Sequence, residues 1–85
     1  MTELEYDILD ELYFVQSFDY LLGSLDLDED ILKKMLKSMF IKGWIRCYVT
    51  PSEEVFYGDV DLDSEYGHYY YTASKPGLHA HNLDD

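Results

Sequence analysis

The chain has 85 residues, with 18 acidic against 6 basic side chains, a formal charge of −12, 47% hydrophobic content and nine tyrosines. That length holds one domain with a small core, and the apolar content is that of a folded rather than a disordered protein. The charge opposes nucleic acid and anionic membrane surfaces within about a Debye length, roughly 8–10 Å, and suits either simple solubility or a partner protein with a basic or apolar surface. Cys47 has no second cysteine to pair with in the chain. No basic-then-apolar leader follows Met1, and no apolar run approaches the ~20 residues that cross a bilayer, so a cytoplasmic location is expected.

Thr2 and Glu5 stand at capping-box spacing, and Leu4, Ile8, Leu12 and Val15 then recur on one face, predicting a first helix over residues 3–14. Ser17 or Asp19 can cap a short second helix over 18–24, with Phe18, Leu21, Leu22 and Leu25 on its apolar side and Gly23 near its end. Leu25-Asp26-Leu27-Asp28 reads as a turn, with Asp28 capping a third helix over 29–42. There Ile31, Leu32, Met35, Leu36, Met39 and Phe40 share one side, and Lys33, Lys34, Lys37 and Ser38 the other. Gly43 takes the position of a left-handed terminator, and residues 44–49, aromatic and β-branched, form a strand.

Thr50-Pro51-Ser52 breaks that strand. Residues 53–65 are acidic, and Val55-Phe56-Tyr57 can extend the sheet. His68 to Thr72 forms a second strand, antiparallel to the first. Lys75-Pro76-Gly77 is expected to stop regular structure, leaving a domain of residues 1–77 and a short tail over 78–85.

Two helices, a turn, an amphipathic helix, a strand, a long connection and a second strand follow in that order. The run from Leu25 to Arg46 resembles the second half of a winged helix-turn-helix, and Tyr69 to Gly77 resembles the end of its wing. The resemblance covers roughly residues 4–77 and belongs to the superfamily rather than to one family. It implies an α+β fold, a three-helix bundle followed by a two- or three-stranded antiparallel β-hairpin wing. It also implies one of two uses, DNA binding through the third helix or contact with another protein.

The charge distribution separates these uses. Residues 1–30 hold ten acids and no lysine or arginine, 31–46 hold five bases and no acid, and 47–85 hold eight acids and Lys75. A DNA-reading third helix enters the major groove by its first turns, which here read Asp28-Glu29-Asp30. The wing carries Glu53, Glu54, Asp59, Asp61, Asp63 and Glu65 without a base, so it lacks the cations that release counterions from phosphate. The expectation is a non-enzymatic, regulatory module acting through protein contact, with Tyr57, Asp59, Asp61, Asp63, Glu65 and Tyr70 as its surface. The alternatives are a DNA-binding regulator using Lys33, Lys34 and Lys37, and an acidic decoy for the basic site of a nucleic-acid-binding protein. A homodimer through the first helix or a sheet edge is compatible with either use.

Other patterns carry less. Asp59-x-Asp61-x-Asp63 opens like a calcium loop, but Ser64 stands where glycine is needed and Tyr70 where a bidentate glutamate belongs. His79 and His81, with Asp84 or Asp85, lack a third placed ligand, and Cys47 lies in a strand without a base beside it. No cofactor is expected. Tyr69, Tyr70 and Tyr71 alternate sides in a strand, so either Tyr70 or its two neighbours face outward, unless the acidic connection folds back over them.

Overall fold

A computed structural model of the chain describes residues 1–83, with Tyr57 described by its backbone alone. The elements run α1 (Glu3–Glu11), β1 (Gln16–Ser17), α2 (Phe18–Leu25), α3 (Glu29–Ile41), β2 (Ile45–Thr50), β3 (Glu53–Val55), β4 (Tyr70–Ala73) and α4 (Lys75–Leu83). Two 3-10 turns, Tyr57–Asp59 and Tyr66–His68, interrupt the connection from β3 to β4. The fold is α+β, with four helices and one antiparallel sheet of order β1-β4-β2-β3 among the described residues.

Local chemistry starts and stops the first three helices. Thr2 and Glu5 form the reciprocal capping box, with Thr2 N donating to Glu5 Oε1 at 2.8 Å and Glu5 N to Thr2 Oγ1 at 3.1 Å. Helix α1 ends at Glu11, earlier than the periodicity predicts, and Tyr13 to Val15 leave it to lead into β1. Ser17, rather than Asp19, caps α2 by accepting from Tyr20 N. Asp26, at φ 51°, stops that helix after Leu25, one residue beyond the expected end at 24. Asp28 caps α3 through Asp30 N and Ile31 N. At the other end Gly43 adopts φ 81°, its N–H bonds Phe40 O and Trp44 N bonds Met39 O, the paired pattern of a Schellman stop.

The wing expected with two or three strands is instead part of a four-stranded sheet. Gln16 and Ser17 pair with Tyr71 and Tyr70, adding a two-residue strand at one edge, and Glu53–Val55 adds the other. The central pair places Cys47 opposite Tyr71 and Tyr48 opposite Tyr70. Strand alternation then divides the side chains. Ile45, Cys47 and Tyr71 enter the core with Ile8, Leu9 and Leu12 of α1, Leu21 of α2, and Leu32, Leu36 and Met39 of α3. Arg46, Tyr48, Tyr70 and Thr72 lie on the opposite face.

The expected loose tail is a helix. Ser74 Oγ accepts from Gly77 N at 3.1 Å, which is N-cap geometry, and Pro76 falls in the first turn, where no helical N–H is needed. Gly77 meets the backbone of Trp44 so closely that a built Cβ would lie 2.0 Å from its carbonyl oxygen. A Lys-Pro-Gly sequence that reads as a breaker is here a cap followed by a close approach. Asp84 and Asp85 lie outside the described residues.

Candidate functional site

Helix α3 and the acidic connection meet along the flank where the sequence places its lysines. Leu62 anchors the connection, at 5% exposure, and belongs to the core cluster that includes Leu32 and Leu36. Around it the polar groups interlock. Lys37 Nζ lies 2.8 Å from Asp63 Oδ1, Lys33 Nζ sits 5.1 Å above the Tyr66 ring, and the Tyr66 hydroxyl donates to the Glu29 carboxylate. That bond to Glu29, together with desolvation, raises the Tyr66 phenol above its ordinary value. The Tyr66 ring also meets Phe18 edge-on at 5.1 Å.

The other lysines of α3 are engaged as well. Lys34 pairs with Asp30 one turn earlier, at 2.9 Å. Lys42 binds Glu5 of α1 and lies 4.7 Å above the Trp44 ring. Burial alone would raise the Glu5 carboxyl, but Lys42 and the Thr2 backbone and hydroxyl outweigh it and hold Glu5 below its ordinary value of 4.5. A depressed carboxyl adds stability above its unfolded pKa and loses it as pH falls through the lower folded value. The stability advantage of the native chain over Glu5→Gln is therefore expected to shrink between pH 7 and pH 3, as read from urea midpoints of both proteins.

The carboxylates named by the sequence do not converge. Asp61 turns back on its own loop, accepting from Asp63 N and Ser64 N at 3.2 Å each and from the Ser64 hydroxyl. Those bonds, the Ser64 hydroxyl foremost, hold Asp61 below its ordinary value. Asp63 faces Lys37, Glu65 lies 3.9 Å from His68, and Asp59 is exposed. Among the described residues no group of three His, Cys, Asp or Glu side chains is placed to hold a metal ion. The side chain of Tyr57 lies outside what the structure describes.

The tyrosines separate by partner. Tyr69 and Tyr71 are buried and meet edge-on, Tyr69 receiving Asp61 N on its hydroxyl and Tyr71 donating to Tyr66 O. Tyr70 is on the outer side of the sheet, half-buried, beside Tyr48. The connection meets α3 through Asp63 and Leu62, on the other side of the sheet from Tyr70. Among the described residues, the side chains of Tyr48 and Tyr70 have neither a hydrogen bond nor a ring contact, whereas those of Tyr13, Tyr20, Tyr66, Tyr69 and Tyr71 all have a hydrogen bond. Glu54 is directly opposite Tyr48 on β3.

Two buried groups stand apart from this surface. Cys47 is fully buried, and desolvation, with Glu54 nearby, pushes its thiol up to about 12. It is held as a protonated, inert thiol. His81, placed by the sequence in a tail, is 2% exposed between α4 and α1, stacked on Tyr6 at 4.1 Å and bonded to the Tyr13 hydroxyl through Nδ1 at 3.0 Å. Its Nε2 lies 3.5 Å from Asp10 Oδ1, outside hydrogen-bond geometry. His79 is exposed, so the two histidines do not share a ligand position. A helical spacing of Leu78 and His81 is the signal that would have placed His81 in a core.

No helix is long and apolar enough to cross a membrane among the described residues. Neither the family models nor the curated proteins nor the solved structures with which the chain was compared include a match.

Proposed function

We propose that the chain is a small, non-enzymatic module of the winged-helix kind that works by contact with another protein and does not read DNA through α3. The order of α1, α2 and α3 before the antiparallel β2–β4 pair, and the run from Leu25 to Arg46, support the winged-helix part of the reading.

One observation carries the conclusion. Lys33, Lys34, Lys37 and Lys42 each face an acid or an aromatic ring of the same chain. Nonspecific affinity for DNA comes from cations that displace counterions from phosphate, and cations already matched to carboxylates contribute little of it. Exposed pairs are individually weak, about 0–1 kcal/mol. They act here as local neutralisation, within a chain that still carries −12 overall. Such a chain is drawn towards basic protein surfaces.

The test is fluorescence anisotropy of a short labelled duplex at low ionic strength. The native chain is expected to give no saturable signal, and Lys33→Glu with Lys37→Glu to change nothing. Saturable binding that those substitutions weaken would overturn the proposal in favour of a DNA-binding regulator.

A further inference from the structure

The outer face of the sheet holds two tyrosines that the fold does not use. Tyr48 and Tyr70 are cross-strand partners, and Glu54 is the partner of Tyr48 on its other side. Side chains directly opposite one another in an antiparallel sheet have Cβ atoms about 4.5–5.5 Å apart and point to the same face. The rung therefore reads carboxylate, phenol, phenol across three strands. Both rings are half-buried, and neither has a hydrogen bond or a ring partner among the described residues. Cross-strand neighbours of the buried series, Val55, Cys47 and Tyr71, pack into the core, so the outer rung is not needed to close it.

We infer that this rung is a docking position for an arginine side chain on a basic segment of a partner protein. The inference rests on the protein-contact reading above and specifies the chemistry of the partner. A guanidinium stacks on a phenol face and donates two parallel hydrogen bonds to a carboxylate, and Glu54 directly opposite Tyr48 supplies both complements on neighbouring strands, with Tyr70 one strand further on. Charge selects the occupant. The lysines of α3 are matched internally, while Glu53 and Glu54 on this edge have no internal cation among the described residues. A second copy would bring another −12 to the same face, and an acidic or nucleic-acid partner would meet the same repulsion. Arg46 lies on this face one rung away, opposite Thr72, and opposes an arriving cation. The guanidinium is thus placed on the Glu54 side of the tyrosines.

Amide and tyrosine ring resonances of the isotope-labelled full chain, titrated with a short blocked peptide of alternating arginine and glycine, test this, with the glutamine–glycine peptide as control. Shifts centred on Glu54, Tyr48 and Tyr70 are expected from the arginine peptide, and none from the control. Tyr48→Ala and Glu54→Gln should each weaken binding by about tenfold, the loss of one stacked or bidentate contact, while Tyr48→Phe retains it and Arg46→Gln tightens it by about twofold. Should Tyr48→Ala fail to fold, the opposite signs of Glu54→Gln and Arg46→Gln still decide the matter. Shifts that follow surface carboxylates generally, Asp19 and Asp26 as strongly as Glu54, and ignore these substitutions would overturn the assignment, as would concentration-dependent shifts at the rung without peptide, which would place a second copy there. Loss of the arginine assignment with no duplex binding leaves the protein-contact reading intact, whereas saturable duplex binding through α3 removes that reading itself.

Discussion

Gly77→Ala is expected to lower the thermal midpoint by roughly 12–24 °C, the effect of about 3 kcal/mol in a domain of this size. The cause is steric and local. A Cβ at position 77 would lie 2.0 Å from Trp44 O and 2.9 Å from Trp44 C, and both are backbone atoms. The same carbonyl accepts from Ser74 N at 2.9 Å, and the Ser74 hydroxyl donates to Gly43 O, so the loop after α3 is held from two sides and cannot retreat. Relief therefore requires α4 to move away from Trp44, which disturbs the seat of α4 on α1 where His81 stacks on Tyr6. Gly23→Ala is the control. Nothing lies within 4 Å of that position, and alanine within α2 should add about 0.5–1 kcal/mol. Calorimetry of the two variants should show shifts of opposite sign. Equal small shifts would mean that α4 is not seated on Trp44.

Leu62→Ala is expected to cost about 2–4 kcal/mol, the usual range for removing a buried leucine side chain. Leu62 is the residue by which an acidic segment, repelled by its own charges, stays on the body of the protein. Its alternation with Asp61 and Asp63 turns one side chain into the core and sets the neighbouring carboxylates outside, where Asp63 meets Lys37. Leu62→Met, which nearly conserves volume, should cost under about 1.5 kcal/mol. Urea unfolding measures both. Hydrogen exchange should additionally show Asp61 N, which bonds the Tyr69 hydroxyl, losing protection in Leu62→Ala before the β2–β4 pair does. A loss under 0.5 kcal/mol would mean that the connection is held by charge alone.

Helices α1, α2 and α3 are legible in the sequence because their signals are local. Thr2 with Glu5, Ser17, Asp28 and Gly43 each act within one turn of their own position. Helix α4 is not legible in this way. Ser74 is an ordinary polar residue until Gly43 O is brought to it, and Gly77 reads as a breaker until Trp44 is placed against it. Strand β1 consists of two residues and has no period to detect, since it exists only because β4 passes beside it.

The site was readable by composition and not by arrangement. The acids of the connection and the lysines of α3 both stood out, but their mutual engagement depends on Leu62 and Tyr66 docking. Tyr70 emerged as outward-facing from strand parity alone, one of the two arrangements that parity permits. Its neighbour Tyr48 required the register of β2 against β4, which no local feature of either strand encodes.

The engagement of the α3 cations by the chain's own acids and rings is tested most directly by nuclear Overhauser contacts of the Tyr66 ring in the free protein. Strong cross-peaks from that ring to the Lys33 methylenes and to the Phe18 ring are expected, together with Leu62 methyl contacts to α3 side chains. A Tyr66 ring with none of these contacts, beside lysines whose ammonium groups exchange as freely as in an unfolded chain, would contradict the account and restore α3 as an open cationic face.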